Sequence, residues 1–487
     1  MSLWCRICLF FKYYINMTLF DSIILFFKFI KTIIIEYFWN KKLNYDVELD
    51  KVVKTFNKIN DNNISRISKD VGTLFCRNIK KNIKNAKFSL DNLNGIIDID
   101  IENKTVDVGS KTRYYDILNE TLKYGLMPKI IPELSSITVG GAITGISIES
   151  SSFKYGWGHD SVIDMDILIS SGEVLFCTNN NENKELFNSI PNSYGTIGYI
   201  TRVKLELIEA KKYVNVINHK FTNNKKAFLF MKNITKNKKY KIDFMDAVCF
   251  NKDDIYVITG TLSNTANKKP SNYPNDDIYY ETIKKYKTDT FTLYDYYWRW
   301  DADMFWGITN ISILKNKWIR KLFGRYLLNT RMLRTLERII KSLKNNKENK
   351  NEHIVQDLGI PYKNASEFYE WICNEINIYP LWICPVVPKK SETHLWSYNK
   401  NELYFDIGVF GYIKGYYENG NIVENYYNKK IEKKLLDLSG NKCFYSGTYL
   451  TLENFNTLID NDIYTSIKNK YDCKNRFGDL YEKIITK

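Results

Sequence analysis

The chain has 487 residues, of which 44% are hydrophobic and 15% aromatic, so it is long enough for two globular domains behind a short N-terminal appendage. Its formal net charge is +15, but the lysines are scattered, and no dense basic run accompanies a zinc, helix-turn-helix or RNA-binding signature. We therefore expect no nucleic-acid partner and interpret the lysines as solvated surface, with attraction to an anionic membrane as the alternative.

The nine cysteines and four histidines form no recognisable metal or disulfide pattern. An odd number of irregularly spaced cysteines indicates neither a disulfide framework nor a paired zinc site, and the histidines are too dispersed for a motif such as HExxH. Cys5 and Cys8 lie close together in the apolar N-terminus, where palmitoylation or packing is expected. The sequence predicts no metal centre and a chain that meets a reducing compartment.

Residues 1–42 form an apolar segment that is expected to associate with a membrane. Ile, Leu, Phe, Tyr and Trp dominate it, but charged residues interrupt the run. A charge near the bilayer centre costs about 2.5 to 3.5 kcal/mol, whereas each large apolar residue contributes about 0.3 to 0.6 kcal/mol. Most of these charges fall on one side of a helix, which favours a helix lying in the interface plane. A tilted span and a buried soluble hairpin are the alternatives.

The remainder of the chain alternates helical and strand patterns. Apolar spacing predicts a helix over residues 46–60, with Val47, Val52 and Phe56 on its apolar side. A second helix is predicted to open at Thr112 and to stop at Gly125. The further predictions are strands at 64–67, 96–101, 105–108, 162–169, 174–178 and 199–208, and a short helix at 184–190.

Turn chemistry connects several of these elements. A Ser-Ser-Gly-Glu sequence between strands 162–169 and 174–178 indicates a hairpin. The pattern of predicted helices and strands up to about residue 208 therefore indicates one α+β domain. The second half, from near Lys212, mixes strands and helices, and its dense run of aromatic residues at 294–306 is interpreted as core.

A glycine-rich segment, PELSSITVGGAITG with the continuation IESSS and Tyr155-Gly156, carries the chemical signal. A dinucleotide diphosphate needs converging backbone N–H groups, and close backbone approach requires residues without a Cβ, as at Gly140, Gly141 and Gly145. The spacing fits neither GxGxxG nor a Walker loop. Alone, such a stretch is more typical of a structural turn, but a companion turn, NSYGTIGYI, follows about fifty residues later, directly before a strand.

Together the two turns resemble the flavin-contacting turns of the vanillyl-alcohol-oxidase-type FAD domain. The run from Pro132 to Gly156 resembles more closely, nearly position by position, the corresponding stretch of the Δ24-sterol reductases, the seladin or Diminuto group. Four later segments resemble the same family in the same order. They are EAKKY (209–213), HIVQD (353–357), IYPLWICP (378–385) and NELYFDIG (401–408).

The resemblance implies an α+β, two-domain PCMH-type FAD-binding fold. The FAD-binding domain is expected over residues 46–210, and a C-terminal α+β substrate or cap domain with C-terminal helices over 211–487, behind the membrane-associating helix of residues 1–42. In this family the first turn cradles the diphosphate and the second contacts the adenosine end. The residues expected to bind FAD are Pro132, Glu133, Thr138, Val139, Gly140, Gly141, Thr144, Gly145, Glu149, Ser150, Ser151, Gly156, Gly195, Thr196, Gly198 and Ile200.

The implied reaction is reduction of the C24–C25 double bond in a sterol side chain, with NADPH as reductant through noncovalently bound FAD. An isolated alkene is a poor hydride acceptor, so a nearby acid must assist. The candidates are Tyr404, Asp406, Tyr445 and Tyr449. Glu149 is expected instead to anchor the flavin loop by accepting backbone N–H bonds.

Two departures from the family bear on these expectations. The turn at 68–72 lacks the Arg and Pro of the reductases and the histidine that many relatives link covalently to flavin, and the region 262–350 is the most divergent. The alternatives are another FAD-linked oxidase or dehydrogenase of this fold, such as a sugar-lactone or alcohol oxidase, and a catalytically inactive membrane-tethered relative. The expected partners are a sterol and a membrane surface of the endoplasmic reticulum type, with the catalytic domain facing the cytosol.

Overall fold

The computed structural model describes residues 42–59, 64–67, 85–237, 239–273, 275, 277–302, 305–306, a few residues between 317 and 330, 351–390 and 393–485. Contacts join Leu43–Lys487 into one compact unit. The predicted membrane-associating segment and the divergent turn at 68–72 lie outside the described residues. Within the described ranges, no helix has both the length and the apolar character needed to cross a membrane.

Helices and strands alternate along the chain, and short turns connect many of them. The helices are α1 (Tyr45–Asn57), α2 (Tyr114–Thr121), α3 (Val139–Thr144), α4 (Ser152–Tyr155), α5 (Lys184–Ser189), α6 (Asn224–Lys236), α7 (Tyr279–Thr282), α8 (Leu293–Tyr297), α9 (Tyr362–Glu375), α10 (Tyr426–Asp437), α11 (Leu452–Asn456), α12 (Asn461–Tyr471) and α13 (Leu480–Ile484). The strands are β1 (Ile64–Ile67), β2 (Asn85–Phe88), β3 (Ile96–Asp100), β4 (Thr105–Gly109), β5 (Leu126–Pro128), β6 (Val162–Leu168), β7 (Val174–Thr178), β8 (Tyr199–Glu209), β9 (Tyr213–Phe221), β10 (Phe244–Asn251), β11 (Asp254–Ser263), β12 (Thr288–Thr292), β13 (Asn351–Pro361), β14 (Leu381–Val386), β15 (Tyr404–Lys414), β16 (Tyr417–Glu418), β17 (Asn421–Ile422) and β18 (Asn441–Lys442).

The first half is built on a sheet with strand order β3-β4-β8-β6-β7, and β5 pairs with the far end of β8. Side chains alternate between buried and partly buried along β8, as expected for a strand with one face on the core. The predicted hairpin is confirmed, because β6 and β7 pair antiparallel and Gly172 takes the left-handed conformation, φ +93°, in their turn.

The second half is built on an eight-stranded antiparallel sheet with strand order β12-β9-β11-β10-β14-β15-β13-β18. Helices α6, α9 and α10 cover one face, where Phe228, Tyr369, Phe405 and Ile431 form a buried cluster. The opposite face shares a core with the first half of the chain. The chain passes from the first sheet to the second between β8 and β9. The domain division at residue 210 stays a prediction.

Local differences from the predicted elements have identifiable causes. Helix α2 begins at Tyr114, because the Thr112 hydroxyl is bound to both backbone groups of Gly95, at 2.8 and 3.1 Å, and does not cap the helix. Gly125 ends the following 3₁₀ turn at φ +70°, as predicted. The apolar side predicted for α1 is wrong at Val47, which is 48% exposed. The aromatic run at 294–306 is core, because most of its rings are buried.

A buried arginine near the C-terminus ties distant parts of the chain together. The Arg476 guanidinium donates to the carbonyl oxygens of Phe56 at 2.8 Å, Ile59 at 3.0 Å and Ser170 at 3.1 Å. It also lies over the Phe56 ring, 4.0 Å from its centroid. Because the cation is almost fully buried, its three carbonyl partners replace the water it loses. The C-terminal segment therefore holds the end of α1 against the β6–β7 hairpin.

We predict that Arg476→Met lowers the free energy of unfolding by about 3 kcal/mol, because three buried carbonyl groups lose a charged donor. Urea unfolding followed by tryptophan fluorescence measures the change. Lys54→Met is the matched control, because Lys54 is exposed and pairs with Asp50 at the surface, and we expect a change within about 0.5 kcal/mol. Equal unfolding midpoints for the two variants would contradict the role of Arg476.

Candidate functional site

The first glycine-rich bend is the entry to helix α3. Two hydrogen bonds to the segment after β4 fix its backbone. The Val139 amide donates to the Thr112 carbonyl and the Gly140 amide donates to the Ser110 carbonyl, both at 2.9 Å. A Cβ at position 140 would lie 2.9 Å from the same Ser110 oxygen. Only glycine allows α3 to approach the end of β4 this closely.

The second bend lies directly before β8 and meets the first. Tyr194 and Gly195 both adopt left-handed conformations, at φ +50° and +71°, which brings the Tyr194 amide to the Thr144 carbonyl at 3.1 Å. The Tyr194 hydroxyl donates to the Gly145 carbonyl at 3.0 Å. Two turns separated by about fifty residues are therefore joined, as a shared cofactor site requires.

The three glycines of the first bend have different roles. The amides of Gly140 and Gly145 donate to the carbonyls of Ser110 and Gly141, so these two glycines serve close packing, and their contact with FAD stays a prediction. Gly141 is exposed, and a Cβ there would contact only Thr138 Oγ1, at 3.1 Å. Position 141 is thus the open surface of the bend.

Buried polar atoms around the two bends lack partners. Among the described residues, no hydrogen bond is made by the side-chain atoms Ser110 Oγ, Ser147 Oγ, Asn192 Oδ1, Trp157 Nε1 and Trp396 Nε1. Buried polar groups of folded proteins are almost always paired, because an unpaired one costs free energy. A ligand with hydroxyl, carbonyl and ring-nitrogen groups would satisfy them, so the residues present fit a flavin dinucleotide.

Glu149 occupies the anchoring position predicted for it. Its carboxylate accepts the Ser151 amide at 2.6 Å and the Ser150 hydroxyl at 2.9 Å. The side chain is fully buried, and this burial raises its pKa despite those hydrogen bonds. Ser150 and Ser151, both expected to contact FAD, are thus held within the loop by Glu149.

A buried charged cluster lies beneath this loop. Arg299 and Asp246 form an ion pair at 3.0 Å, and the indole N–H groups of Trp300 and Trp382 donate to the same Asp246 oxygen at 3.3 Å. Glu133, expected to bind FAD, lies 3.7 Å from Arg299 instead. Burial raises the pKa of Glu133 well above its usual range, although Arg299 opposes this effect.

A row of residues crosses the second sheet under the same loop. Asp406 on β15 pairs with Gly359 on β13 and with Cys384 on β14, and Asp246 on β10 extends the row in register. The Cys384 thiol lies 3.1 Å from the Glu149 carbonyl oxygen. This contact places the row directly against the loop that follows the first bend.

Asp406 and Asp357 form a buried carboxylate pair within this face. Their strand partners are Gly359 and Gly408, so the two side chains are diagonal neighbours. Among the described residues, neither carboxylate oxygen of Asp406 has a hydrogen-bond partner. Burial raises the pKa of Asp406 to about 7. Burial also raises the pKa of Asp357, with a further increase from the Asp406 charge, so the pair retains a proton near neutral pH.

The three tyrosine candidates have different surroundings. The Tyr404 hydroxyl accepts the Asn399 amide at 3.0 Å and donates to Glu402 at 3.1 Å, and burial raises its pKa to about 12. Tyr445 packs partly buried against the cluster that contains Trp157 and Tyr404. The Tyr449 amide donates to the Glu432 carboxylate. The structure brings Tyr404 and Tyr445 toward the loop, and a role for any of the three tyrosines stays a prediction.

Several other predicted FAD contacts have clear packing roles. A Cβ at Gly156, where φ is +86°, would lie 2.0 Å from the Asp160 carboxylate, and one at Gly198 would lie 2.7 Å from Ile167. Ile200 is buried in the first sheet, and the Thr196 hydroxyl donates to the Ser193 carbonyl at 2.7 Å. Contact of these residues with FAD stays a prediction.

The described cysteines do not pair. Six of them are free, and only Cys473 among these is exposed. In the part of the chain that the structure describes, no group of three or more His, Cys, Asp or Glu side chains could hold a metal ion.

Comparison with known proteins identifies an FAD-binding domain that contains the first bend. Residues 49–178 match an FAD binding domain family. The chain is 27% identical over 431 residues to the Delta(24)-sterol reductase of Homo sapiens, which covers 82% of this chain and 78% of that protein. It is 24% identical over 489 residues to the Delta(24)-sterol reductase of Pisum sativum, which covers 92% and 85%. Cytokinin dehydrogenase 1 of Arabidopsis thaliana is 31% identical over 192 residues, or 39% of this chain.

These matches confirm the predicted resemblance. The FAD-binding domain and the FAD-dependent oxidoreductase class are supported by the family match, and the similarity to the sterol reductases extends far beyond that domain. Sequence reasoning missed the pair of Asp357 and Asp406 as a unit and the cluster around Arg299. An acidic residue in an otherwise apolar strand and an arginine within an aromatic run were the available signals.

We predict that Gly141→Asp abolishes FAD retention without unfolding the chain. The new Cβ meets only Thr138, and a carboxylate in the first turn of a helix is compatible with its dipole, whereas it repels an anionic diphosphate. The flavin released on denaturation, per mole of protein, measures retention.

Two further variants separate the causes. Gly141→Ala adds the Cβ without the charge and should keep more FAD. Gly420→Asp adds the same carboxylate in the exposed β16–β17 turn, where φ is +80° and no atom beyond the chain neighbours lies within 4 Å of the new Cβ. Aspartate tolerates this left-handed backbone better than most residues, and the variant should keep all of its FAD. Stoichiometric FAD in Gly141→Asp would show that the bend does not face the diphosphate.

Proposed function

We propose that this chain, a relative of the Delta(24)-sterol reductases with an FAD-binding domain, reduces the C24–C25 double bond of a sterol side chain with NADPH as electron source. The observation that carries the proposal is the buried carboxyl group of Asp406, whose oxygens make no hydrogen bond among the described residues, on the sheet face that contacts the glycine-rich loop. The similarity to the reductase of Pisum sativum covers 92% of this chain, and thus both the loop and this face.

The bound cofactor and the residues of the site would have separate roles in the reaction. Bound FAD supplies hydride transfer, which no side chain can perform. The chain must hold the dinucleotide, for which the two joined bends and the unpaired polar atoms around them are suited. It must also keep water away from the reacting carbons, and the aromatic side chains Trp157 and Trp396, whose rings lie 5.5 Å apart, close this side of the loop.

Addition of hydride to an isolated alkene requires a proton at the second carbon, and Asp406 is the best placed donor. Its raised pKa keeps a large fraction protonated near pH 7, close to the optimum for an acid catalyst at that pH. The Tyr404 hydroxyl is a weaker acid, with its pKa raised to about 12, and already donates to Glu402. The balance is one hydride and one proton added across one double bond.

The N-terminal segment fits this assignment. A sterol partitions into membranes, so an enzyme that acts on its side chain benefits from residues that hold it at the membrane surface. The apolar segment of residues 1–42, with its charges on one side, has the composition of an in-plane anchor. We propose attachment to an endoplasmic-reticulum-type membrane with the catalytic unit in the cytosol, where NADPH is available.

The reaction can be tested on the purified full-length protein under anaerobic conditions. We expect NADPH to bleach the flavin absorbance and desmosterol, a sterol with a C24–C25 double bond, to restore it with formation of the saturated side chain. NADH in place of NADPH tests the choice of reductant. A flavin that ignores both reagents and consumes oxygen with a sugar lactone or an alcohol would indicate an oxidase, and a colourless protein that takes up no FAD would indicate an inactive relative.

We predict that Asp406→Asn slows the reoxidation of reduced flavin by the sterol about 10²- to 10⁴-fold, the usual contribution of a general acid, and leaves reduction by NADPH unchanged. In the unmodified protein, the rate of sterol reduction should be highest below pH 7 and should fall as the pH rises through the raised pKa of Asp406, about 7, because the acid form is lost. Stopped-flow absorbance measures both half-reactions.

Asp253→Asn is the matched control, because it makes the same change at an exposed position in the turn between β10 and β11. It should leave both half-reactions and the pH profile unchanged. Retention of full sterol reduction in Asp406→Asn would assign proton donation to another group, with Tyr404, Tyr445 and Tyr449 as the next variants to measure.

A further inference from the structure

A surface pocket lies beside the buried carboxylate pair. Its volume is about 310 Å³, and its lining includes Pro361, Lys363, Trp396, Tyr398 and Tyr404. Tyr404 and Pro361 pair with each other and lie two residues from Asp406 and Gly359 on the same two strands. The pocket thus opens to solvent at the end of the β13–β15 strand pair, two residues from Asp406.

Tyr398 spans the distance between this pocket and the buried row. Its ring lines the pocket and packs against Tyr404, Trp396 and Trp157, with centroid distances of 4.4, 4.8 and 5.1 Å. Its hydroxyl oxygen lies 1.9 Å from the position that a Cβ on Gly359 would occupy. Since Gly359 is the strand partner of Asp406, the missing side chain at 359 makes room for this hydroxyl next to the carboxyl group.

Among the described residues no hydrogen bond, including one to Asp406, explains the position of the Tyr398 hydroxyl. The oxygen is buried and makes no hydrogen bond among the described residues. The two Asp406 oxygens and one Asp357 oxygen are also buried and also make no hydrogen bond among the described residues. Four unpaired polar atoms at one place in a close-packed interior indicate a path for a small polar species.

We propose that Tyr398 relays protons from solvent in the surface pocket to Asp406, so that the acid is restored after each turnover. The inference rests on the proposed function only in assigning that turnover to sterol reduction. In each cycle Asp406 gives its proton to the substrate carbon. The resulting carboxylate takes the phenolic proton, and the phenol oxygen takes a proton from a hydronium ion or buffer acid in the pocket.

A tyrosine hydroxyl is suited to this step, because it donates and accepts at the same oxygen. Burial raises the pKa of Tyr398 well above its usual range, and the acidic groups Cys443, Asp406 and Tyr404 raise it further. The hydroxyl therefore remains neutral and passes a proton without storing charge. A phenylalanine ring of the same shape has no such group.

The groups around the carboxylates do not provide an alternative donor among the described residues. Lys442 lies on β18 and pairs with Leu358 on β13, but its ammonium is bound to Glu432 at 2.6 Å. The thiols of Cys384 and Cys443 are buried, and burial raises the pKa of each. At the pocket mouth, Glu402 accepts the Tyr404 hydroxyl, and Lys363 lines the wall.

The kinetic test compares single and multiple turnovers in Tyr398→Phe. At a pH below the raised pKa of Asp406, about 7, most of this group starts protonated, so the first transfer to the sterol should proceed at nearly the unmodified rate, whereas steady-state turnover should fall about 100-fold, at the low end of the usual effect of losing a proton-transfer group. Tyr412→Phe is the matched control, because it removes a hydroxyl from an exposed ring on β15, the strand that carries Asp406, and it should change neither rate. An equal loss in both rates would indicate a structural role for Tyr398 and would overturn the relay.

A spectroscopic test does not depend on activity. The infrared carboxylic-acid band that disappears in Asp406→Asn should shift after rapid mixing of the FAD-loaded protein with D₂O, and the shift should be slower in Tyr398→Phe than in the unmodified protein. Equal exchange rates would overturn the relay. Slower exchange in a protein that reduces no sterol would support the relay and reject the proposed function, so the two ideas can fail separately.

Discussion

The candidate site depends on the contact between two bends that are distant in sequence. The Tyr194 amide and hydroxyl reach the carbonyls of Thr144 and Gly145, and this is possible only because Tyr194 and Gly195 take left-handed conformations. The same hydrogen bonds use carbonyl groups at the C-terminal end of the short helix α3. The first bend can therefore leave Gly141 open, while its neighbours are fixed by Ser110 and Thr112.

The second constraint is the burial of charged groups between the halves of the chain. Arg299 forms one close ion pair, with Asp246, yet the carboxyl groups of Glu133, Glu149, Asp357 and Asp406 are also buried nearby. The free energy needed to bury so many carboxylates as anions would far exceed the stabilisation that one arginine provides by ion pairing. Burial therefore raises the pKa of all four carboxyl groups. Carboxyl groups in the interior near the loop retain protons at a higher pH than they would in solvent.

Sequence reasoning predicted the parts of the fold that depend on local patterns. The β6–β7 hairpin, helix α2 and the strand at β8 follow from turn residues and periodicity, which act within about ten residues. Glu149 was assigned its anchoring role correctly, because its partner Ser151 is two residues away. The use of Thr112 was predicted wrongly, because its partner, Gly95, comes from a different strand connection.

The site residues that were missed depend on register between distant strands. Asp406 was identified from its segment, but nothing in the sequence indicates that β13 and β15 pair so as to bring Asp357 beside it. The same register places Gly359 opposite Asp406, and the vacancy left by that glycine is filled by a tyrosine hydroxyl from another loop. A glycine in a buried strand weakens packing, so its presence here is explained by what occupies the space. An acid buried deeply enough to keep its proton is also cut off from solvent, and the close approach at Gly359 is the feature that relieves this conflict.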